Sequence, residues 1–189
     1  MRTPTIQLCS GKFINLLEPD PSLIQIDDIA ASLSRLCRFT GHLKDDLFYS
    51  VAEHSVRGSY LVEHGYELEF LLHDGHEYIT GDMNSPLKQL CPDFQIHANR
   101  IQAAICARFD LPENMSIPVH VTDYRMLATE KRDLLRVTTA DVNEWAFLQD
   151  FPPYSERIDP WAPSVARRAF INRYYELIGY PVKWAQSCS

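Results

Sequence analysis

Apolar residues recur along most of this chain at helical spacing, and only the beginning reads otherwise. There, two short apolar runs in "TIQLCSGKFINLL" flank Ser10-Gly11-Lys12, which predicts a hairpin. Pro19 and Pro21 interrupt the chain, and Asp27 or Asp28 is placed to cap a helix running through "IAASLSRLCRF". A polar loop, "TGHLKDDLFY", precedes Ser50-Val51-Ala52-Glu53. This has the S-x-x-E capping-box form and predicts a helix to about His64, stopped by Gly65. "YELEFLLHDGHEYIT" predicts one further helix closed by Gly81, and "SPLKQL" a short one. Pro92 opens a helix that ends near Asp110. Pro112 and Pro118 bracket the next start, and "VTDYRMLATEKRDLLRV" is a long amphipathic helix. Thr139 to Pro163 is rich in proline and aromatics and predicts irregular structure, after which "SVARRAFINRYYELIG" forms the last helix, with Gly179 beyond it. Helices dominate and connections are short, so the expected fold is all-α, a helical bundle carrying an N-terminal hairpin. No repeat or long linker divides the 189 residues, and a single domain over 1–189 is expected.

Composition narrows the function. The chain is 46% hydrophobic and 23% charged, as ordinary soluble domains are. No apolar run is long enough to span a bilayer, and "MRTPTIQLCSGKF" lacks the basic-then-apolar design of a signal peptide. Five scattered cysteines (Cys9, Cys37, Cys91, Cys106, Cys188), without a C-x-x-C pair, read as free thiols in a reducing compartment. The cytoplasm is therefore the expected location, a host's cytoplasm if the gene is carried by a phage. The net charge of −7 argues against a surface that coats DNA or RNA, which needs a basic excess. It leaves open a small anionic ligand held by local cations and a metal.

The segment "FLLHDGHEYITGD" gathers His73, Asp74, His76, Glu77 and Asp82 within ten residues. On a continuous helix His73 and Glu77 are i and i+4, and Asp74 and Glu77 i and i+3, so they share one face. His73 and Asp74 diverge by about 100°, yet a cation between them can take an imidazole nitrogen and a carboxylate oxygen. Further ligands must come from other helices. His54 lies one turn into the capped helix. Asp123 lies on the long helix, on one stripe with Leu127 and Glu130, where a carboxylate is costly unless paired or metal-bound. Two imidazoles and two carboxylates form a mixed nitrogen–oxygen set, suited to Mn, Co, Fe, Ni or Zn and leaving positions open for water and substrate.

With their flanks, "YSVAEHS", "LLHDGHEYITGDMNSPLK" and "VTDYRMLATEKRDLL", these residues resemble the HD-domain phosphohydrolases. The nearest groups are the YfbR-type 5′-deoxynucleotidases and the phage deoxynucleoside triphosphohydrolases of the DatZ type. The resemblance covers roughly residues 26–136, with "IDPWAPSVARRAF" a weaker echo beyond. It implies one essential divalent ion, with Co, Mn or Zn foremost, on His54, His73, Asp74 and Asp123. It implies that Glu77 positions a water or takes its proton, and that Asp82 helps with proton transfer or meets the sugar. It implies phosphate binding by Arg38 and packing of an aromatic on the deoxyribose; that aromatic is Phe39 here, where the deoxynucleotidases carry tryptophan. Lys88 is a second phosphate candidate. His42 is a third, or a ligand for a second, phosphate-bound divalent ion.

Two reactions fit the motif: release of triphosphate from a dNTP, dATP being preferred, and release of phosphate from a dNMP. A non-catalytic nucleotide sensor is the competing class. The expected partner is a small deoxynucleotide, with neither a nucleic-acid polymer nor a membrane, and a homo-oligomer is expected. His64, His76, His97 and His120 are expected to be structural or exposed. Arg167, Arg168 and Arg173 are expected on a solvated face.

Overall fold

The computed structural model describes residues 3–139 and 141–180. They form a mostly helical fold with one small sheet. Strands β1 (Thr5–Gln7) and β2 (Phe13–Asn15) pair antiparallel, with Thr5 opposite Asn15, as the apolar runs predict. The turn closes on Leu8, whose N–H bonds the Lys12 carbonyl at 2.8 Å, and Gly11 supplies the left-handed backbone the turn requires (φ 83°).

The helices are α1 (Ile26–Leu33), α2 (Val51–Ser59), α3 (Glu67–Leu72), α4 (Glu77–Thr80), α5 (Ser85–Leu90), α6 (Pro92–Phe109), α7 (Ile117–Leu134), α8 (Asp141–Glu144) and α9 (Pro163–Leu177). α5, α6, α7 and α9 fall where sequence places them, and α6 ends on Asp110 in the left-handed conformation. α1 departs from expectation. Gln25 stands at its N-cap without a side-chain bond, because Asp28 turns inward and accepts the Ser10 N–H at 2.7 Å. The helix also stops at Leu33, so Arg38 and Phe39 lie in a separate turn. α2 stops at Ser59 rather than near His64. The segment expected as one helix from Tyr66 to Thr80 is two, α3 and α4. Cys188 lies outside the described residues. No helix among those residues is long and apolar enough to cross a membrane.

α2 is the central element and packs on α1, α3, α7 and α9. One apolar core joins Ile29 and Leu33 of α1, Val51 and Val56 of α2, Leu71 and Leu72 of α3, Ile101 and Ile105 of α6, and Phe170 of α9. A second joins Val62, Phe70, Val119 and Met126. Gly58 makes the close approach of α2 and α3 possible: a Cβ there would collide with the Phe70 ring at Cε1. That approach brings the His54 and His73 rings to 5.3 Å between centroids. α9 closes the back through buried Arg173, which lies 3.8 Å over the Tyr60 ring and donates to Ser59. Arg173 is therefore not on a solvated face.

Candidate metal centre

Each histidine is anchored by its outer nitrogen. Ser50 caps α2 by accepting the Glu53 N–H at 3.1 Å, and His54 follows in the first turn, fully buried. Its Nδ1 lies 2.6 Å from Oε1 of Glu130. At the end of α3, Nδ1–H of His73 donates to the Phe70 carbonyl at 2.7 Å. Both bonds leave Nε2 as the free nitrogen, the arrangement that outer hydrogen bonds impose on ligating imidazoles. Both Nε2 atoms are buried and make no hydrogen bond. Oδ1 of Asp123, from α7, stands 3.2 Å from Nε2 of His54 and 3.8 Å from Nε2 of His73, close but outside hydrogen-bond geometry. One ligand atom from each of His54, His73 and Asp123 lies within 4.8 Å of the others. Asp74 adjoins them, with Oδ2 3.3 Å from Nε2 of His73.

The break between α3 and α4 sets this geometry. A regular helix would bond the His76 N–H to the Leu72 carbonyl. Instead, the side-chain amide of Gln102, from α6, takes both groups: Nε2 donates to Leu72 O and Oε1 accepts from His76 N, each at 3.0 Å. A side chain inserted into the ladder is a recognised cause of a helix break. The chain tightens there to i→i+3 bonds, Gly75 N to Leu72 O at 2.9 Å and Glu77 N to Asp74 O at 3.1 Å. The expectation that His73 and Glu77 share one regular helix face is thereby corrected. They lie on either side of a turn that α6 holds open.

Around the cluster, Arg38 joins two carboxylates: its Nε and Nη2 each lie 3.1 Å from Oε2 of Glu130, and its Nη1 lies 3.5 Å from Oδ2 of Asp74. Phe39 is half-buried, 5.7 Å from the Arg38 guanidinium, with φ 56°. Thr40 follows at φ 54°. Two consecutive left-handed residues, one of them bulky, are a local strain of the kind that collects at functional sites. Lys88 donates to Oε1 of Glu77 at 3.2 Å, while Oε2 of Glu77 is buried and unpartnered. Asp82 is half-buried and within electrostatic reach of Arg38, Asp74 and Lys88. His42 is not gathered in. It is exposed, and its imidazole makes no hydrogen bond or ion pair with the described residues.

Charge in this site is densely coupled. Burial alone would lower the His73 imidazole, but Asp74 and Asp123 hold it well above the usual histidine range. Burial would raise the carboxyls of Asp74 and Asp123; the two imidazoles instead hold both below the carboxylate range. Glu77 goes the other way. Burial, then the Asp74 and Asp82 charges, push its carboxyl well up, against Lys88 and Arg38. The carboxylates thus favour positive charge at the place where the imidazoles converge. A divalent ion would supply that charge, and two buried unpartnered Nε2 atoms converging on a carboxylate are a donor set that can hold one.

Glu130 is the functional residue that sequence reasoning passed over. Wholly buried, it orients both His54 and Arg38. Its signal was available, since it lies two turns along the stripe that carries Asp123. Gln102 had no comparable signal. His76, expected to be structural or exposed, has a buried Nδ1 with no partner and lines a cleft beside the cluster.

No protein-family model matches the chain. It is 40% identical over 173 residues to the uncharacterized protein YfdR of Escherichia coli (strain K12), across 91% of this chain and 94% of that protein. It is 36% identical over 121 residues to an uncharacterized protein of Rhodobacter capsulatus, across 60% of this chain and 62% of the relative. By its match along nearly the whole of both sequences, the chain belongs to the family of YfdR.

Proposed function

We propose that this protein is a phosphohydrolase of the HD-domain type, dependent on a divalent transition metal and acting on deoxynucleotides. The observation that carries this reading is the convergence of two imidazoles on Asp123, each with its outer nitrogen anchored and its inner nitrogen buried and unpartnered. His54, His73 and Asp123 would hold the ion, with Asp74 as the adjoining fourth donor. Co, Mn or Zn suits this mixed set best, Ni or Fe next. A bound ion supplies Lewis-acid polarisation of a phosphoryl oxygen and a more acidic water.

The chain's own residues supply the rest. Arg38 presents a guanidinium at the edge of the cluster, held by Glu130, for a phosphoryl oxygen. Lys88 offers a second cation on the Glu77 side. Glu77 is a carboxyl whose proton affinity is raised by burial and by its acidic neighbours, and positive charge in the cluster would lower it again. It is therefore suited to take one proton from an attacking water and return it. Asp82, just past α4, is the candidate for proton relay or sugar contact, and the half-buried ring of Phe39 for packing on the deoxyribose. Two substrates remain. The resemblance favours dATP cleaved to deoxyadenosine and triphosphate. The two cations in contact with the cluster, Arg38 and Lys88, suit a single phosphate and favour a dNMP. A triphosphate tail would call for further cations or a second divalent ion.

The test is metal analysis of the purified protein, followed by incubation with dATP and with dAMP in Co²⁺, Mn²⁺ or Zn²⁺ and separation of products by anion exchange. Intact triphosphate from dATP, or phosphate from dAMP, decides between the two reactions. Glu77→Gln should keep the metal and lose about 10²–10⁴-fold in rate. Metal and nucleotide binding without turnover would make the protein a sensor and end the enzymatic reading.

A further inference from the structure

On the α6 side of the cluster, a cleft of about 470 Å³ opens between the α3–α4 turn, α6 and the segment leading into α7. Its walls include His73 and Asp74 of the candidate metal centre, so it adjoins that centre on the side away from Arg38 and Lys88, which do not line it. The remaining polar liners come from a stripe on α6 (Gln95, Asn99 and Gln102), from His76, and from Glu69, Glu113 and Asn114. No lysine or arginine of the described residues lines it. Phosphate therefore has no counter-charge there, and the carboxylates repel it. What the cleft offers is hydrogen bonds to a neutral group. At the exposed rim, Nε2 of Gln95 donates to Oδ1 of Asn99 at 2.7 Å, which leaves a carbonyl oxygen on Gln95 and an NH₂ group on Asn99 for a ligand. His76 also lines the cleft, and its Nδ1 is buried without a hydrogen-bond partner. The volume falls in the range of small-molecule sites.

We infer that this cleft is a nucleobase subsite, in which Asn99, Gln95 and His76 hydrogen-bond the base edge and Glu113 favours bases bearing an exocyclic amino group. The inference rests on the phosphohydrolase reading of the adjacent cluster and adds to it which part of the substrate lies where. An acceptor on Gln95 and a donor on the adjoining Asn99 offer the two kinds of group that a base edge requires, as a single amide does for adenine in nucleic-acid recognition. A carboxylate beside them accepts an amino hydrogen and meets a carbonyl oxygen unfavourably.

The experiment compares the metal-loaded wild-type protein with Asn99→Ala and Glu113→Gln on dAMP, dATP, dTMP, dTTP and the base-free substrate bis(p-nitrophenyl) phosphate. Asn99→Ala should lower kcat/KM for the nucleotides about tenfold more than for the aryl phosphate, mainly through KM. Glu113→Gln should narrow the preference of adenine over thymine nucleotides. Equal losses on all substrates, or no loss on any, would overturn the subsite. If the wild-type protein cleaves none of the five, the phosphohydrolase reading fails, and the cleft is judged by deoxyadenosine binding followed by NMR. Binding that Asn99→Ala weakens about tenfold would uphold the base site. No binding, or binding that the variant leaves unchanged, would reject it.

Discussion

At the scale of single residues, the candidate centre is a set of groups that each have one outer bond fixed and one face left open. His54 and His73 are alike in this, although one is anchored by a carboxylate and the other by a backbone carbonyl. Glu130 does the most outside the ligand set, because it holds His54 and Arg38 at once. Glu130→Gln should weaken metal binding about 10–100-fold, the usual cost of losing an outer-shell partner, and should raise KM as Arg38 loses its counter-charge. Equilibrium dialysis against Mn²⁺ and steady-state kinetics measure the two effects separately. Unchanged metal affinity would show that the Phe70-anchored His73 and Asp123 suffice. The residues that cluster, His54, His73 and Asp123, were legible in sequence. A histidine on a capped helix, an HD pair and a distant aspartate on a core-facing stripe are costly to bury for any other purpose. His42 stands apart from the other candidates, being exposed and making no side-chain hydrogen bond or ion pair with the described residues. The left-handed run at Phe39 and Thr40 turns the chain after Arg38, and His42 emerges into solvent.

At the scale of elements, local rules worked where an element is closed by its own residues. Ser50 caps α2, Pro92 opens α6, and Asp110 ends α6. They failed where a distant side chain intervenes. Nothing between Tyr66 and Thr80 other than Gly75 disfavours a continuous helix, and the break is made by Gln102, twenty-six positions beyond His76. The S-x-x-E pattern was half right in the same sense. Ser50 accepts the Glu53 N–H, but the Glu53 carboxylate leaves the cap to accept from Trp161 N at 2.8 Å and Arg57 Nε at 2.9 Å. Gln102→Leu should leave the His76 N–H without its partner, while the Leu72 carbonyl keeps the Gly75 N–H, at a cost of about 1–3 kcal/mol, unless the ladder closes and α3 runs into α4. Either way the angle between His73 and Asp74 changes. The visible absorption of the Co²⁺-loaded variant should shift, and metal affinity should fall while Gln102→Glu, which can still accept from His76, falls less. A Gln102→Leu spectrum identical to wild type would show that the turn holds itself.

At the scale of the whole molecule, the helices that carry His54 and Asp123 are tied together from outside by the segment from Pro152 to Trp161. Irregular structure was expected from Thr139 to Pro163; α8 and a 3-10 turn at Ala146–Leu148 interrupt it, whereas Pro152 to Trp161 is irregular, yet pinned along its length. Thr129 accepts from Tyr154 N at 2.9 Å, Arg132 donates to the Tyr154 and Glu156 carbonyls at 2.6 and 2.8 Å, and Arg125 lies 4.0 Å over the Tyr154 ring. At the α2 end, Arg57 stacks 4.5 Å over Trp161 and donates to the Asp159 carbonyl at 2.8 Å. Asp133 is the central fastening. It accepts from Arg132, from Arg157 at 2.6 Å and from Ile158 N at 3.0 Å. Burial would raise this carboxyl, but these donors hold it down to about 2, against an ordinary 3.8. The stability it contributes is fully present above the ordinary value and is lost as the pH falls through the lowered one. Thermal midpoints measured from pH 5 to pH 2 should therefore fall more steeply for the wild type than for Asp133→Asn, which starts lower and lacks this titration. Parallel curves would remove Asp133 from the acid response.

The bonds that Gln102 makes also bear on where the information for the centre resides. His73 and Asp74 are neighbours in the chain, and a reader of local sequence takes them as a ready-made pair. Their relative direction is nevertheless written in a contact of long sequence separation, the kind that raises contact order and that only the assembled fold satisfies. A fragment that stops short of residue 102 contains both residues and lacks the constraint that aims them. The pair is local in composition and global in geometry.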